Sequence, residues 1–187
     1  MSDSGFVIVC LDPIDQRDRE RYARTTAQWL MQEGILAPLA RSLWRTSSEY
    51  ARGEWGPGAN WRSVVQEPLP VAWRSSPGEE VDISTDRRVW SAAANSADFT
   101  CARCDTPLSE DLGDLVDTWL ATNEPSPACS ECGWSAPLGD WPTECPPALV
   151  GAPAIIFWRW PSFRPDFVEA VAAKLGCSRY RAFWEHI

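Results

Sequence analysis

Four cysteines constrain this chain more than anything else in it: Cys101-Ala-Arg-Cys104 and Cys129-Ser-Glu-Cys132. Each Cys-x-x-Cys pair can close a tight turn that aims two sulfurs at one point, and two such pairs read as a four-thiolate zinc site. Gly133, directly after Cys132, suits that turn because glycine accepts positive φ without steric cost. Asp105 holds the matching position after Cys104. The expected ligands are therefore Cys101, Cys104, Cys129 and Cys132, around a tetrahedral Zn2+. A site closed by four cysteines is structural, because catalytic zinc keeps a position open for water.

The remaining cysteines are Cys10, Cys145 and Cys177. Cys10 lies in an apolar run and Cys177 follows a helix end, so both read as small buried hydrophobes. Cys145 sits beside prolines, where a free thiol is favoured over a competing ligand. The odd total and the metal spacing argue against a disulfide framework and for a reducing compartment. The short acidic start, Met1 to Gly5, lacks the basic segment of a secretion signal, and no apolar run reaches bilayer length. The expected location is the cytoplasm.

Two β-α-β patterns flank the cysteines. Phe6 to Leu11 is a continuous apolar run, as in a strand buried on both faces. Asp12-Pro13 reads as the cap and first turn of a helix that runs to about Glu33, with Trp29 and Leu30 inward. Gly34 and Ile35 fit its C-terminal cap. Val81, Ile83, Val89 and Trp90 indicate a strand or hairpin. Residues 36 to 80 resist assignment: Ala37 to Tyr50 could be helical or extended, and the prolines up to Pro77 indicate loop. Ala154 to Trp158 is a second buried strand, Pro165 opens a helix that Gly176 ends, and Tyr180 to Trp184 closes the chain.

Between them, residues 96 to 142 read as an inserted zinc-ribbon-like module. Ser109 is placed to cap a helix carrying Leu112, Leu115, Val116, Trp119 and Leu120 on one side. Trp134, Leu138 and Trp141 can pack the module onto the main domain. The fold class expected is a single α+β domain over residues 1 to 187, a ferredoxin-like βαβ-βαβ sandwich interrupted by that module. Its two apolar strands should be neighbours at the centre of a four-stranded sheet, with both helices on one face.

Ala154-Ile155-Ile156-Phe157-Trp158-Arg159-Trp160-Pro161, with Phe167-Val168 and Leu175-Gly176, resembles the C-terminal end of a family of small uncharacterised bacterial proteins. Those also carry two Cys-x-x-Cys pairs in mid-chain. The resemblance covers the second half and implies a shared fold and metal site, with no known activity. Some members bear a label as sugar-transporter ATPases, yet this chain has no Gly-x-x-x-x-Gly-Lys phosphate loop.

Net charge is −9, which opposes nonspecific binding to nucleic acid. His186 is the sole histidine, so no Ser/His/Asp or Cys/His set can be assembled around another. Asp12 and Glu185 could meet as paired carboxylates if strand ends bring them together. Trp158, Arg159, Trp160 and Phe163 form the candidate partner-binding patch, since strand alternation puts both tryptophans on one side. The expected function is a non-enzymatic, zinc-stabilised cytoplasmic protein that binds another protein, of immunity or adaptor type. The alternatives are an enzyme with a carboxylate or thiol pocket between sheet and insert, and a zinc-ribbon nucleic-acid binder.

Overall fold

The computed structural model describes residues 4–39, 55–69, 80–92 and 96–186. In chain order the strands are β1 (Ser4–Cys10), β2 (Leu36–Pro38), β3 (Trp55–Pro57), β4 (Val81–Ser84), β5 (Arg88–Trp90), β6 (Leu149–Gly151), β7 (Ala154–Trp158) and β8 (Tyr180–His186). The helices are α1 (Gln16–Gln32), α2 (Leu112–Ala121) and α3 (Pro165–Lys174). Expectations for residues 40–54 and 70–79 lie outside the described residues.

The two apolar runs are neighbours. β1 pairs antiparallel with β7, Phe6 opposite Phe157 and Ile8 opposite Ile155, and on its other side with β8, Cys10 opposite Tyr180. One antiparallel sheet results, in the order β2-β3-β4-β7-β1-β8, and β5 and β6 make a separate pair. The four-stranded expectation is thus corrected to six strands, because β2 and β3 extend the sheet beyond β4. Of the strand or hairpin expected around 81–90, strands form but do not pair with each other. β4 joins the large sheet through β7, whereas β5 crosses to β6.

Alternation along the strands explains why both runs are apolar throughout. Ile8, Ile155 and Phe157 face α1 and α3, sharing a core with Leu30, Phe167, Val171 and Leu175. Val7, Val9, Ile156 and Trp158 face the other way and share a core with Trp90, Phe99, Trp119, Leu138 and Trp141. The helices cover one side of the sheet, and α2 with the cysteine-bearing insert covers the other. Burying each large apolar side chain contributes on the order of 1.5–3 kcal/mol, so this double coverage is the main source of stability.

The helix boundaries follow from their caps. The Asp15 carboxylate, not Asp12, caps α1 by accepting the Asp18 amide at 2.8 Å. Asp12 instead accepts from the Ser178 amide and hydroxyl and from the Arg179 amide, tying the end of β1 to the approach to β8. At the far end of α1, Gly34 adopts φ 68° and Ile35 donates to the Leu30 carbonyl at 2.9 Å. Asp111, rather than Ser109, caps α2 through the Asp114 amide. α3 begins on Pro165 and ends before Gly176, and its Phe167 stacks on Trp29 of α1 at 6.4 Å between ring centroids. Among the described residues no helix is long and apolar enough to cross a membrane.

The candidate aromatic patch is corrected by burial. Trp158, Trp160 and Phe163 are 7%, 0% and 4% exposed. Arg159 between the tryptophans takes φ 54°, in the left-handed region. That turn breaks the period-2 alternation on which the patch depended. Trp158 therefore enters the core under the insert, while Trp160 enters the core under the helices. There Trp160 meets Phe157 edge-on at 5.4 Å and Phe163 at 5.7 Å.

Candidate metal centre

The two Cys-x-x-Cys segments fold into matching knuckles. In the first, the Asp105 amide donates to the Cys101 carbonyl at 3.0 Å and the Cys101 amide to the Thr106 carbonyl at 2.8 Å. In the second, Gly133 donates to Cys129 at 2.9 Å and Cys129 to Trp134 at 2.7 Å. Both turns close on a residue in the left-handed region, Asp105 at φ 56° and Gly133 at φ 69°. Each knuckle is flanked by an antiparallel bridge, Thr100 to Pro107 and Ala128 to Ser135. The positive φ at 105 and 133 reverses the chain directly after each second cysteine, which brings the Thr106 and Trp134 carbonyls to the amides of Cys101 and Cys129.

The four sulfurs converge. Cys101 Sγ lies 3.5 Å from Cys132 Sγ, and Cys104 Sγ lies 3.6 Å from those of Cys129 and Cys132. All four lie within 4.8 Å of one another. A tetrahedron with metal–sulfur bonds of about 2.3 Å has sulfur–sulfur edges of about 3.8 Å, so the cluster is close enough to hold one metal ion. Cys101 and Cys129 are buried and Cys104 and Cys132 exposed, placing the centre at the rim of the insert.

Local donors act on the sulfurs. The Thr106 hydroxyl, 3.3 Å from Cys104 Sγ, and then the Thr106 backbone pull that thiol down to about 6. The Trp134 amide favours the Cys132 thiolate, but desolvation and the three neighbouring sulfurs outweigh it and push that thiol up to about 12. Such opposed behaviour is expected where thiols crowd together, because each thiolate that forms raises the cost of the next. A cation at the centre removes that conflict by stabilising all four thiolates together.

The insert is anchored around this centre by packing and by one ionic network. Trp134 and Trp141 meet at 5.1 Å, and Trp141 is fully buried with its indole donating to the Ala136 carbonyl at 3.2 Å. Arg179, just before β8, donates to Glu124 at 2.8 and 3.2 Å and to Asp140 at 2.9 Å. Those hydrogen bonds, the ones to Glu124 first, raise the Arg179 pKa further above its usual value. Arg87 reaches from the β4–β5 turn to the carbonyl oxygens of Trp119, Leu120 and Thr122 at the end of α2. Neither arginine was singled out from sequence. Their partners are more than 30 residues away, and no local pattern announces such a contact.

The other sequence candidates do not assemble. Asp12 follows the Cys10–Tyr180 end of the β1–β8 pair, and Glu185 sits opposite Gly5 near the other end. At about 3.4 Å per residue the two carboxylates are far apart along the strands and do not form an acid–base pair. Burial raises the Glu185 carboxyl, against the opposing effect of Arg88. His186 pairs through its backbone with Ser4 at the end of β8. Cys145 packs half-buried beside the insert core and is not one of the four clustered sulfurs. Cys10 is fully buried, as expected, and its sulfur together with burial raises the Cys177 thiol.

Comparison of the chain with family models, with curated proteins and with solved structures returns no match.

Proposed function

We infer that Cys101, Cys104, Cys129 and Cys132 hold one structural zinc, and that the protein is a non-enzymatic cytoplasmic module that binds another protein. The observation that carries the zinc reading is the convergence of four sulfurs within 4.8 Å. Four protein thiolates leave no open position for water or substrate, which is the pattern of a staple rather than of a catalytic metal. The twin knuckles support a zinc-ribbon-like description of the insert. The β4-β7-β1-β8 order, with α1 and α3 together on one face, supports a ferredoxin-like description of the domain that carries it. On that reading β2 and β3 are additions at one edge, and the chain shares its plan with the bacterial family whose cysteine pairs and Ala154–Pro161 segment it resembles.

Zinc in this role fixes a short, loop-rich insert that contains only one helix of ten residues. Such a segment has little core of its own, and metal binding then becomes folding free energy. The Cys104→Ser variant tests it. Its Sγ touches two other ligands, so its loss should lower the melting temperature and reduce solubility of the whole chain. A variant as stable as the parent would refute the staple.

The protein-binding reading draws on the net charge of −9, which disfavours nucleic acid as the partner. Random-sequence DNA or RNA should not bind at physiological salt. Micromolar, salt-sensitive binding would replace this reading with the nucleic-acid one. With the tryptophans of 158–160 buried, the contact surface is assigned to residues other than Trp158, Trp160 and Phe163.

A further inference from the structure

The two edges of the large sheet are unlike. β2 closes one with three residues that include Pro38, a short, proline-bearing form that resists further pairing. β8 closes the other with seven residues, none of them proline or glycine. The register shows which of its backbone groups are spent. Leu11 donates to the Arg179 carbonyl, so the residues in phase with that pair, Arg181 with Val9 and Phe183 with Val7, exchange hydrogen bonds with β1. The alternate residues, Tyr180, Ala182 and Trp184, turn their N–H and C=O groups outward. Among the described residues no strand lies on that side and no hydrogen bond reaches those groups.

The edge is also open to approach. A cavity of about 520 Å3 runs along Tyr180 to Phe183, with Pro165 and Val168 on the helix side and Thr143 and Pro146 on the insert side. Ala182, small and exposed, stands between a half-buried tyrosine and a half-buried tryptophan. Trp184 lies on the helix side, meeting Phe6 edge-on at 5.3 Å, and Phe183 enters the core under the insert. The strand is complementary to itself. Antiparallel pairing of two copies over their whole length is centred on Phe183 and engages every outward donor and acceptor. In that register Ala182 lies opposite Trp184 of the second copy, so the large ring falls where the small residue leaves space. On the other face Arg181 lies directly opposite Glu185 of the second copy, and the two-fold axis repeats both matches. An unrelated extended chain would find the same backbone groups but neither of these side-chain matches.

We propose that β8 pairs antiparallel with β8 of a second copy of this chain, forming a two-fold dimer whose large sheets join into one. This goes beyond the zinc staple, and it concerns a second copy rather than the different protein inferred above. The net charge of −9 opposes association of two identical chains, so specificity rests on the backbone ladder and on the paired Arg181 and Glu185 at the seam.

The test is analytical ultracentrifugation of the full metal-loaded chain over a range of concentrations, with hydrogen exchange read at single amides. The parent should show a monomer–dimer equilibrium with a dissociation constant of about 10 μM or tighter. Ala182→Pro removes an N–H that β1 does not use and places its ring on the open edge. It should weaken the dimer about a hundredfold or more while keeping the zinc, which separates this proposal from the staple. Leu120→Ser, at an exposed position on α2 outside the seam, should dimerise like the parent. In the parent itself the Ala182 amide should exchange at least about tenfold more slowly in concentrated than in dilute samples, a readout that stands even if the proline variant folds poorly. A parent that stays monomeric with a fast Ala182 amide would leave the edge to some other polypeptide. A monomer with a slow one would mean that the chain covers its own edge, and a dimer that Ala182→Pro leaves intact would place the seam elsewhere. Each of these results would overturn the proposal.

Discussion

Arg179 Nη1 donates to Glu124 Oε2 across 2.8 Å, joining the approach to β8 to the loop that leaves α2. The Glu124 side chain is only 13% exposed, and its other oxygen accepts the Gly139 amide at 2.7 Å. One carboxylate thus holds the main domain, α2 and the 3-10 turn at Leu138–Asp140 in a fixed relation. Glu124→Ala leaves the Gly139 N–H without an acceptor and Arg179 with Asp140 as its one remaining carboxylate, which should cost about 1–3 kcal/mol. Glu124→Gln keeps an acceptor for Gly139 and should cost less. Urea unfolding of both variants, and of the double variant with Arg179→Ala, checks this. Additive losses would show that the pair is not coupled.

Arg87 acts as the C-terminal cap that α2 lacks in its own sequence. No basic residue lies in the last turn of α2, so a cation from the β4–β5 turn meets its exposed carbonyls. Arg87→Ala should lower stability by about 1–2 kcal/mol and increase hydrogen exchange in the last turn of α2. Unchanged exchange there would contradict the capping role.

Two glycines should respond differently to alanine. At Gly151 a Cβ would lie 2.2 Å from the Cys10 carbonyl oxygen and 2.7 Å from Val9 Cγ2. The β6 backbone passes too close to β1 for any side chain, and Gly151→Ala should cost at least ~1–3 kcal/mol. At Gly113, an exposed position in the first turn of α2, a Cβ would meet only Asp111 Oδ1, the capping oxygen, at 3.0 Å. There the helix-propensity gain of up to about 1 kcal/mol is offset by strain on that cap, so Gly113→Ala should leave stability nearly unchanged. Thermal melts should show a clear loss for Gly151→Ala and little shift for Gly113→Ala.

What could be read from sequence was what local chemistry determines. Cys-x-x-Cys followed by Asp105 or Gly133 specifies a knuckle within six residues, so the cluster was legible. Continuous apolar runs at Phe6–Leu11 and Ala154–Trp158 marked strands covered on both faces, and these strands do pair. The error at Trp158–Trp160 has a single cause. A left-handed arginine breaks strand alternation, and nothing about Arg159 announces positive φ. The Asp12 assignment failed because Asp15 competes for the same role, and the choice rests on the distant Ser178 and Arg179 amides. β2 and β3 are three residues each and contain prolines, too short and too irregular for a periodic signal.

The central claim is that four thiolates bind one zinc. Elemental analysis of the protein purified without added metal, read against its concentration, tests it most directly. The account predicts about one zinc per chain, lost together in Cys101→Ser and Cys104→Ser variants. Parent protein with no zinc, or with Cys101, Cys104, Cys129 or Cys132 joined in a disulfide, would contradict it.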